Sequence, residues 1–195
     1  MTAKTLLQLA GADLSPPPLL QAAIVVIDAQ REYVDGALPL PDAGAALDKI
    51  AALLKQARAA GAPVFHIQHK GRAGGLFDPA TTAFAFADGA QPIAGETVVN
   101  KGLPNGFAGT DLHEALEKAG RKRLVLAGFM THMCVSATPA PRSISAISRL
   151  CFPTRPRRAT CRRSTAVAWS APATCTGWSL PRSPTASRSS AAPPT

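Results

Sequence analysis

A chain of 195 residues suits one domain with a full core. No apolar run approaches the ~20 residues a membrane span needs, and MTAKTLLQLAGADLSPPP lacks the apolar region and cleavage site of a secretory signal, so no membrane association and a cytosolic location are expected. The formal charge of +9 would suggest nucleic acid until it is located: residues 1–137 hold 12 Lys and Arg against 12 Asp and Glu, and the excess is nine arginines in 138–195, a segment without an acid.

That segment also holds nine of the 18 prolines and three of the four cysteines, Cys151, Cys161 and Cys175. Two compositions are therefore joined near residue 138. The expected organisation is a folded core over 1–138 and an atypical Arg/Ser/Pro-rich stretch over 139–195.

In chain order, Ser15-Pro16-Pro17-Pro18 is a stiff lead-in, since proline fixes φ. AAIVVIDAQ, Ala22 to Gln30, reads as a central parallel strand with Asp28 at its C-terminal end, where open α/β sheets bind ligands. Asp28 also reads as a helix N-cap or a loop acid. From Asp42, the spacing of Leu47, Ile50, Leu53 and Leu54 predicts a helix that Gly61 stops.

PVFHIQH, Pro63 to His69, predicts a second strand. His66 and His69 are three apart, which on a strand sends them to opposite faces and argues against a shared metal. Gly71 to Gly95 reads as a lid or binding loop whose Phe77, Phe84 or Phe86 would wall a pocket. Thr97 to Asn100 predicts a short strand ending at Lys101, and Thr110 to about Ala119 a helix. Lys101 is either a solvated charge or a group that reaches a site.

Arg121-Lys122-Arg123 reads as a solvated entry to a fourth strand, Leu124 to Ala127, which Gly128 ends. Thr131 is positioned to cap a following helix and to place Cys134 in its first turn, where free N–H groups and the helix dipole favour a thiolate. Cys134 is then a nucleophile; the alternative is a small buried thiol. The alternation of strands and helices predicts an α/β fold, a doubly wound, Rossmann-like parallel sheet with helices on both faces.

Three reactive residues thus follow three different strands. The motifs around them are IVVIDAQREYVDG, VVNKGLPNGFAGTDL and LVLAGFMTHMCVSAT, and over about Ala22 to Thr138 the chain resembles the isochorismatase-like cysteine hydrolases, which include nicotinamidases and related amidases. The resemblance implies Asp28 as general base, Lys101 as its electrostatic partner, and Cys134 as the nucleophile of a thioester. It implies a cis Phe129–Met130 peptide and an oxyanion hole from the backbone N–H groups of Met130 and Cys134. Gln30, Tyr33, His69, Phe107 and His132 become candidate pocket residues.

Metal-binding nicotinamidases carry an acid and histidines after the second strand, whereas this chain has HIQHKG. No metal and no cofactor are therefore expected, and nicotinamide is disfavoured as substrate. The expected reaction is cleavage of the C–N bond of a small amide by a homo-oligomer, a dimer or tetramer. The alternatives are a vinyl-ether hydrolase of isochorismate type, or an inactive scaffold with a basic nucleic-acid-binding tail.

Pro139 and Pro141 should break the helix after Cys134, and the sequence beyond shows no strand of the right length. One explanation is a frame-shifted reading of the family's ordinary C-terminus. With free choice of synonymous codons, a shifted frame permits an amphipathic helix, a strand with its loop, and a final helix. Residues 139–195 are therefore expected to be irregular and to leave the fourth strand as an unprotected sheet edge. Nucleic-acid binding is disfavoured, because a frameshift accounts for the same composition.

Overall fold

The computed structural model describes residue 9, residues 17–138 and residues 146–150. The first strand, β1 (Ala22–Ile27), is buried at all six positions, the outcome expected when an unbroken apolar run is covered on both faces. After a short 3-10 turn comes helix α1 (Ala43–Ala59), then β2 (Val64–His69), β3 (Thr97–Lys101), helix α2 (Leu112–Lys118) and β4 (Arg123–Gly128). A π-helical turn (Thr131–Val135) and β5 (Ala146–Leu150) follow.

The strands form one sheet in the order β3-β2-β1-β4-β5, and every pairing is parallel. The chain lays β1, β2 and β3 outward in one direction, then returns to the far side of β1 for β4 and β5. The C-terminal ends of β1 and β4 therefore flank the switch point of the sheet, where such folds open a crevice.

Alternation along β1 divides the core. Ala23, Val25 and Ile27 join Phe65, Ile67, Leu124 and Leu126 under Leu112 and Leu116 of α2. Ile24 and Val26 face the other side, and α1 packs on β1, β2 and β4 through Leu47, Ile50, Leu53 and Leu54. Gly61, at φ 65, ends α1: Ala62 donates to Ala57 O and Gly61 to Arg58 O, which satisfies the last carbonyls. Asp42 occupies the N-cap position in a left-handed conformation without a side-chain capping bond. Helix α2 is shorter than the expected Thr110–Ala119, because Thr110 turns its hydroxyl back to Gly106 O.

Two expectations for the C-terminal part are corrected. Ala146–Leu150 is a strand, not irregular chain, and it pairs in register with β4 from Arg123↔Ala146 to Ala127↔Leu150. The edge of β4 is therefore covered. The unpaired N–H and C=O groups along β4 need partners, and this segment is a proline-free stretch between Pro141 and Pro153 that can supply them. The rest of 139–195, including Pro139 and Pro141, the frameshift and the basic tail, lies outside the described residues. Among the described residues no helix is long and apolar enough to cross a membrane.

Candidate active site

Asp28 follows β1 immediately and holds φ at 52°, a left-handed conformation uncommon for a residue with a side chain. Its own N–H donates to Ile67 O of β2 at 2.9 Å, and its carboxyl is fully buried. Lys101 is the last residue of β3, and its side chain is fully buried as well. Gly128 ends β4 at φ 134°, and a Cβ there would lie 1.9 Å from Ile27 O. Only glycine lets the end of β4 close on β1, where Phe129 N–H donates to Ile27 O at 2.9 Å.

The Phe129–Met130 peptide is cis. The chain then enters a π-helical turn, not the expected α-helix capped by Thr131: Met130 holds the N-cap position without a side-chain capping bond, and its carbonyl accepts from Met133 N and Val135 N. Thr138, buried one turn beyond Cys134, donates to Cys134 O at 2.7 Å and accepts from Gly106 N at 3.1 Å. This hydroxyl ties the cysteine's turn to the loop after Lys101. Four-residue spacing from Cys134 was the available sequence signal, and sequence reasoning missed it.

The site converges on one ammonium group. Lys101 Nζ lies 2.7 Å from Asp28 Oδ2, 3.1 Å from His69 Nδ1 and 3.3 Å from Cys134 Sγ. A lysine ammonium carries three hydrogens, so one is available for each neighbour. Beyond that ion pair, neither Asp28 oxygen receives a well-directed hydrogen bond from the described residues, which leaves the carboxylate able to accept a proton.

Burial raises the Asp28 pKa, and Lys101 opposes the shift. Burial first and the Asp28 charge second push the Cys134 thiol up to about 11, against the pull of Lys101. Burial and the neighbouring Asp28 thus work against the thiolate that the helix position suggests, and a thiol pushed up to about 11 carries its proton near neutral pH. Desolvation in the β1–β4 crevice outweighs both the lysine and the short helical turn.

The candidate pocket residues divide. His69 is half-buried, with Nδ1 on Lys101 and its ring edge-on to Phe77 at 5.0 Å between centroids. Tyr33 is buried between Phe77 (5.2 Å) and Phe129 (5.7 Å), and burial, with Asp28 second, raises its phenol pKa. Gln30 is fully buried and its amide is already engaged: Nε2 donates to His69 O and Phe84 O, while Oε1 accepts from His69 N. It braces the end of β2. Phe107 packs half-buried against the core cluster under the sheet. His132 is exposed on the π-helical turn, because the turn sends Cys134 and Val135 inward and His132 and Met133 out.

The Gly71 to Gly95 segment is stitched down, not a free lid. Arg31 N donates to Ala85 O, Ala87 N to Ala29 O, and Gln68 Nε2 to Phe84 O. Glu32, unremarked in the sequence, is buried after β1 and accepts from Ala37 N at 2.7 Å and Phe77 N at 3.0 Å. It holds Phe77, at φ 57°, against His69 and Tyr33. Phe86 packs on His66 instead, at 5.6 Å.

An isochorismatase domain matches residues 22–139. The chain belongs to the isochorismatase family. It is 42% identical over 129 residues to the secreted isochorismatase effector Isc1 of Verticillium dahliae, covering 66% of this chain and 68% of that protein. An isochorismatase of Pseudomonas putida superposes with a TM-score of 0.66 at 42% identity, over 70% of this chain and 71% of that one. An N-carbamoylsarcosine amidase of Thermoplasma acidophilum superposes at 0.58 with 26% identity, over 60% and 73%.

In this isochorismatase-family chain the other β2 histidine, His66, serves a different cluster. His66 Nε2 lies 2.9 Å from Glu96 Oε2, and Arg58 of α1 grips both oxygens of Glu96. Burial lowers the His66 pKa, with Glu96 opposing. The two histidines therefore face opposite sides of the sheet, and among the described residues no group of His, Cys, Asp and Glu is arranged to hold a metal ion.

Proposed function

We propose that this isochorismatase-family hydrolase cleaves the C–N bond of a small amide through a thioester on Cys134. The observation that carries the reading is the shared ammonium: Lys101 Nζ touches the carboxylate of Asp28, at 2.7 Å, and the sulfur of Cys134, at 3.3 Å. A charged partner for both the base and the nucleophile, brought from β3 to a crevice between β1 and β4, suits proton transfer between them. The amidase of Thermoplasma acidophilum among its structural neighbours supports a C–N bond as the target.

In the first half-reaction Asp28 takes the thiol proton as sulfur attacks the amide carbonyl. The carbon–sulfur bond forms, and the carbonyl pair moves to oxygen. Backbone N–H groups of Met130 and Cys134 receive that oxyanion, a contribution of about 3 kcal/mol per donor in comparable sites. The intermediate collapses as Asp28 returns its proton to the leaving nitrogen, breaking the C–N bond and releasing amine or ammonia. Water, deprotonated by Asp28, then attacks the thioester. The carbon–sulfur bond breaks, the acid departs, and the proton passes back to the sulfur.

Lys101 opposes the rise that burial gives the Asp28 pKa and stabilises the thiolate formed during attack. The raised thiol pKa fits this order of events: the proton leaves sulfur during attack, so no standing thiolate is required. The chemistry uses no cofactor.

A second reading is hydrolysis of a vinyl ether, favoured by the raised pKa of Asp28, which equips it to deliver a proton to a carbon–carbon double bond. Intact-mass detection of an acyl adduct on Cys134 during a screen of small amides separates the two. An adduct absent from Cys134→Ala supports the amidase, whereas turnover that survives Cys134→Ala supports the vinyl-ether reaction and ends the thioester reading.

A further inference from the structure

The turn that carries Cys134 is short, Thr131–Val135, so its place is set at its two ends. In front, Gly128 closes on β1 and Phe129 N donates to Ile27 O at 2.9 Å. Behind, Thr138 precedes Pro139, and a residue before proline is biased away from helical backbone. Thr138 is fully buried, and its hydroxyl is used in both senses: Oγ1 donates to Cys134 O at 2.7 Å and accepts from Gly106 N at 3.1 Å.

Gly106 lies in the loop beyond Lys101, and its backbone rests on β2. A Cβ there would lie 2.8 Å from Ile67 Cδ1 and 3.2 Å from Thr138 Oγ1, so glycine lets the loop close on both. Ile67 is also the residue whose carbonyl accepts from Asp28 N at 2.9 Å. The backbones of Asp28 and Cys134 are therefore both referred to one residue of β2, the first directly and the second through Gly106 and Thr138. The contact of Lys101 Nζ with Cys134 Sγ, at 3.3 Å, does not replace this reference, because a lysine side chain is flexible and can follow a displaced sulfur.

We propose that Thr138 is a positioning residue for the nucleophile. Its hydroxyl fixes the Cys134 turn from behind, so that Sγ stands within reach of both Lys101 and the incoming carbonyl. Thr138 touches neither substrate nor reacting atoms and acts through the carbonyl of Cys134. The inference rests on Cys134 being the nucleophile of the proposed thioester. Valine has the shape of threonine but leaves Gly106 N–H and Cys134 O without this partner, whereas serine keeps the hydroxyl.

The test uses p-nitrophenyl acetate, an activated acyl donor. Sγ attacks the acetyl carbon, the thiol proton passes to Asp28, the carbon–oxygen bond breaks, and p-nitrophenolate leaves with its electron pair. The burst of p-nitrophenolate is followed for the full chain, Thr138→Val, Thr138→Ser and Cys134→Ala, with folding checked by urea denaturation. In Thr138→Val the saturating burst rate of the folded protein should fall at least about tenfold, while the half-saturating concentration changes less than about twofold. Thr138→Ser should regain most of the rate. A merely structural role would lower the urea midpoint and leave the burst rate of the folded protein unchanged.

A Thr138→Val burst within about twofold of the wild-type rate overturns the inference and leaves the thioester reading standing. No burst from the wild-type chain, or one that survives Cys134→Ala, removes both. Thr138→Ala takes the place of Thr138→Val if the valine variant does not fold; if neither folds while Thr138→Ser does, the hydroxyl serves the fold alone and the inference is overturned. Independently of turnover, hydrogen exchange should find the Gly106 amide protected in the wild type and in Thr138→Ser. Exchange of that amide at the rate of an open loop in the wild type overturns the inference directly.

Discussion

Lys101 Nζ lies 2.7 Å from Asp28 Oδ2 although their strands are not neighbours, because β2 runs between β1 and β3. The lysine arches over the end of β2, and both side chains are removed from solvent. Breaking a buried pair from one side leaves an uncompensated charge, at a cost of about 3–5 kcal/mol. Lys101→Met and Asp28→Asn should each destabilise by that order, while the double variant should lose less than the sum of the two. Urea denaturation of the four proteins in a double-mutant cycle checks this; additive losses would show that the pair is not coupled.

Cys134 should alkylate slowly at neutral pH. With the thiol pushed to about 11 from an ordinary 9.0, the thiolate fraction at pH 8 is roughly 100-fold below that of an unperturbed cysteine. The rate of reaction with iodoacetamide should climb with a midpoint near 11. Burial is the main cause and the Asp28 charge the second, so Asp28→Asn should lower the midpoint and speed alkylation while abolishing hydrolysis. A wild-type midpoint below 9 would contradict this account.

Gly128→Ala should be among the most damaging substitutions in the chain. Its Cβ would meet Ile27 O at 1.9 Å, and φ of 134° is a conformation that alanine rarely adopts. The end of β4 must move off β1, taking the Cys134 turn with it. A loss of about 3 kcal/mol or more is expected, read as a lower denaturation midpoint. Hydrolase activity should fall even where the protein stays folded.

The Arg58–Glu96–His66 cluster makes stability fall with acid. Burial raises the Glu96 pKa, but bonds from Arg58, Ile93 N and His66 outweigh it and hold the carboxyl at about 2, below its ordinary 4.5. A depressed folded-state pKa contributes stability that is present above 4.5 and lost as pH falls from 4.5 towards 2. His66, also depressed, adds a loss as pH falls below its ordinary 6.5, because the unfolded chain binds that proton more readily. The urea midpoint should therefore drop in two stages below pH 7. Glu96→Gln should cost about 2 kcal/mol at neutral pH and flatten the lower stage.

Much of the site was legible because it is built at strand ends. The unbroken run Ala22–Ile27 could only be a covered strand, which put Asp28 at its carboxyl end. The short strand before Lys101 and the run before Gly128 made the same argument for the other two residues. Thr131 misled because a cap is a local signal, whereas the turn after β4 follows the closure of Gly128 on Ile27, which is not local. Gln30 looked like a pocket residue from its place beside Asp28, yet its partners His69 and Phe84 are 39 and 54 positions away.

The C-terminal part shows the converse. Composition read Ala146–Leu150 as irregular, since no pattern within those residues announces a strand. The unpaired edge of β4 recruits them nonetheless. A strand at an edge is decided by what the neighbouring strand lacks.

By itself, then, the sequence determined the parallel α/β fold, the identity of the residues after β1, β3 and β4, and the opposite-facing histidines of β2, all of which depend on hydrophobic period and chain order. Only the tertiary structure decided that one ammonium joins Asp28, Cys134 and His69, and that burial pushes the cysteine's thiol up. These depend on which side chains meet across strands and how much water is excluded from them, and no local pattern encodes either.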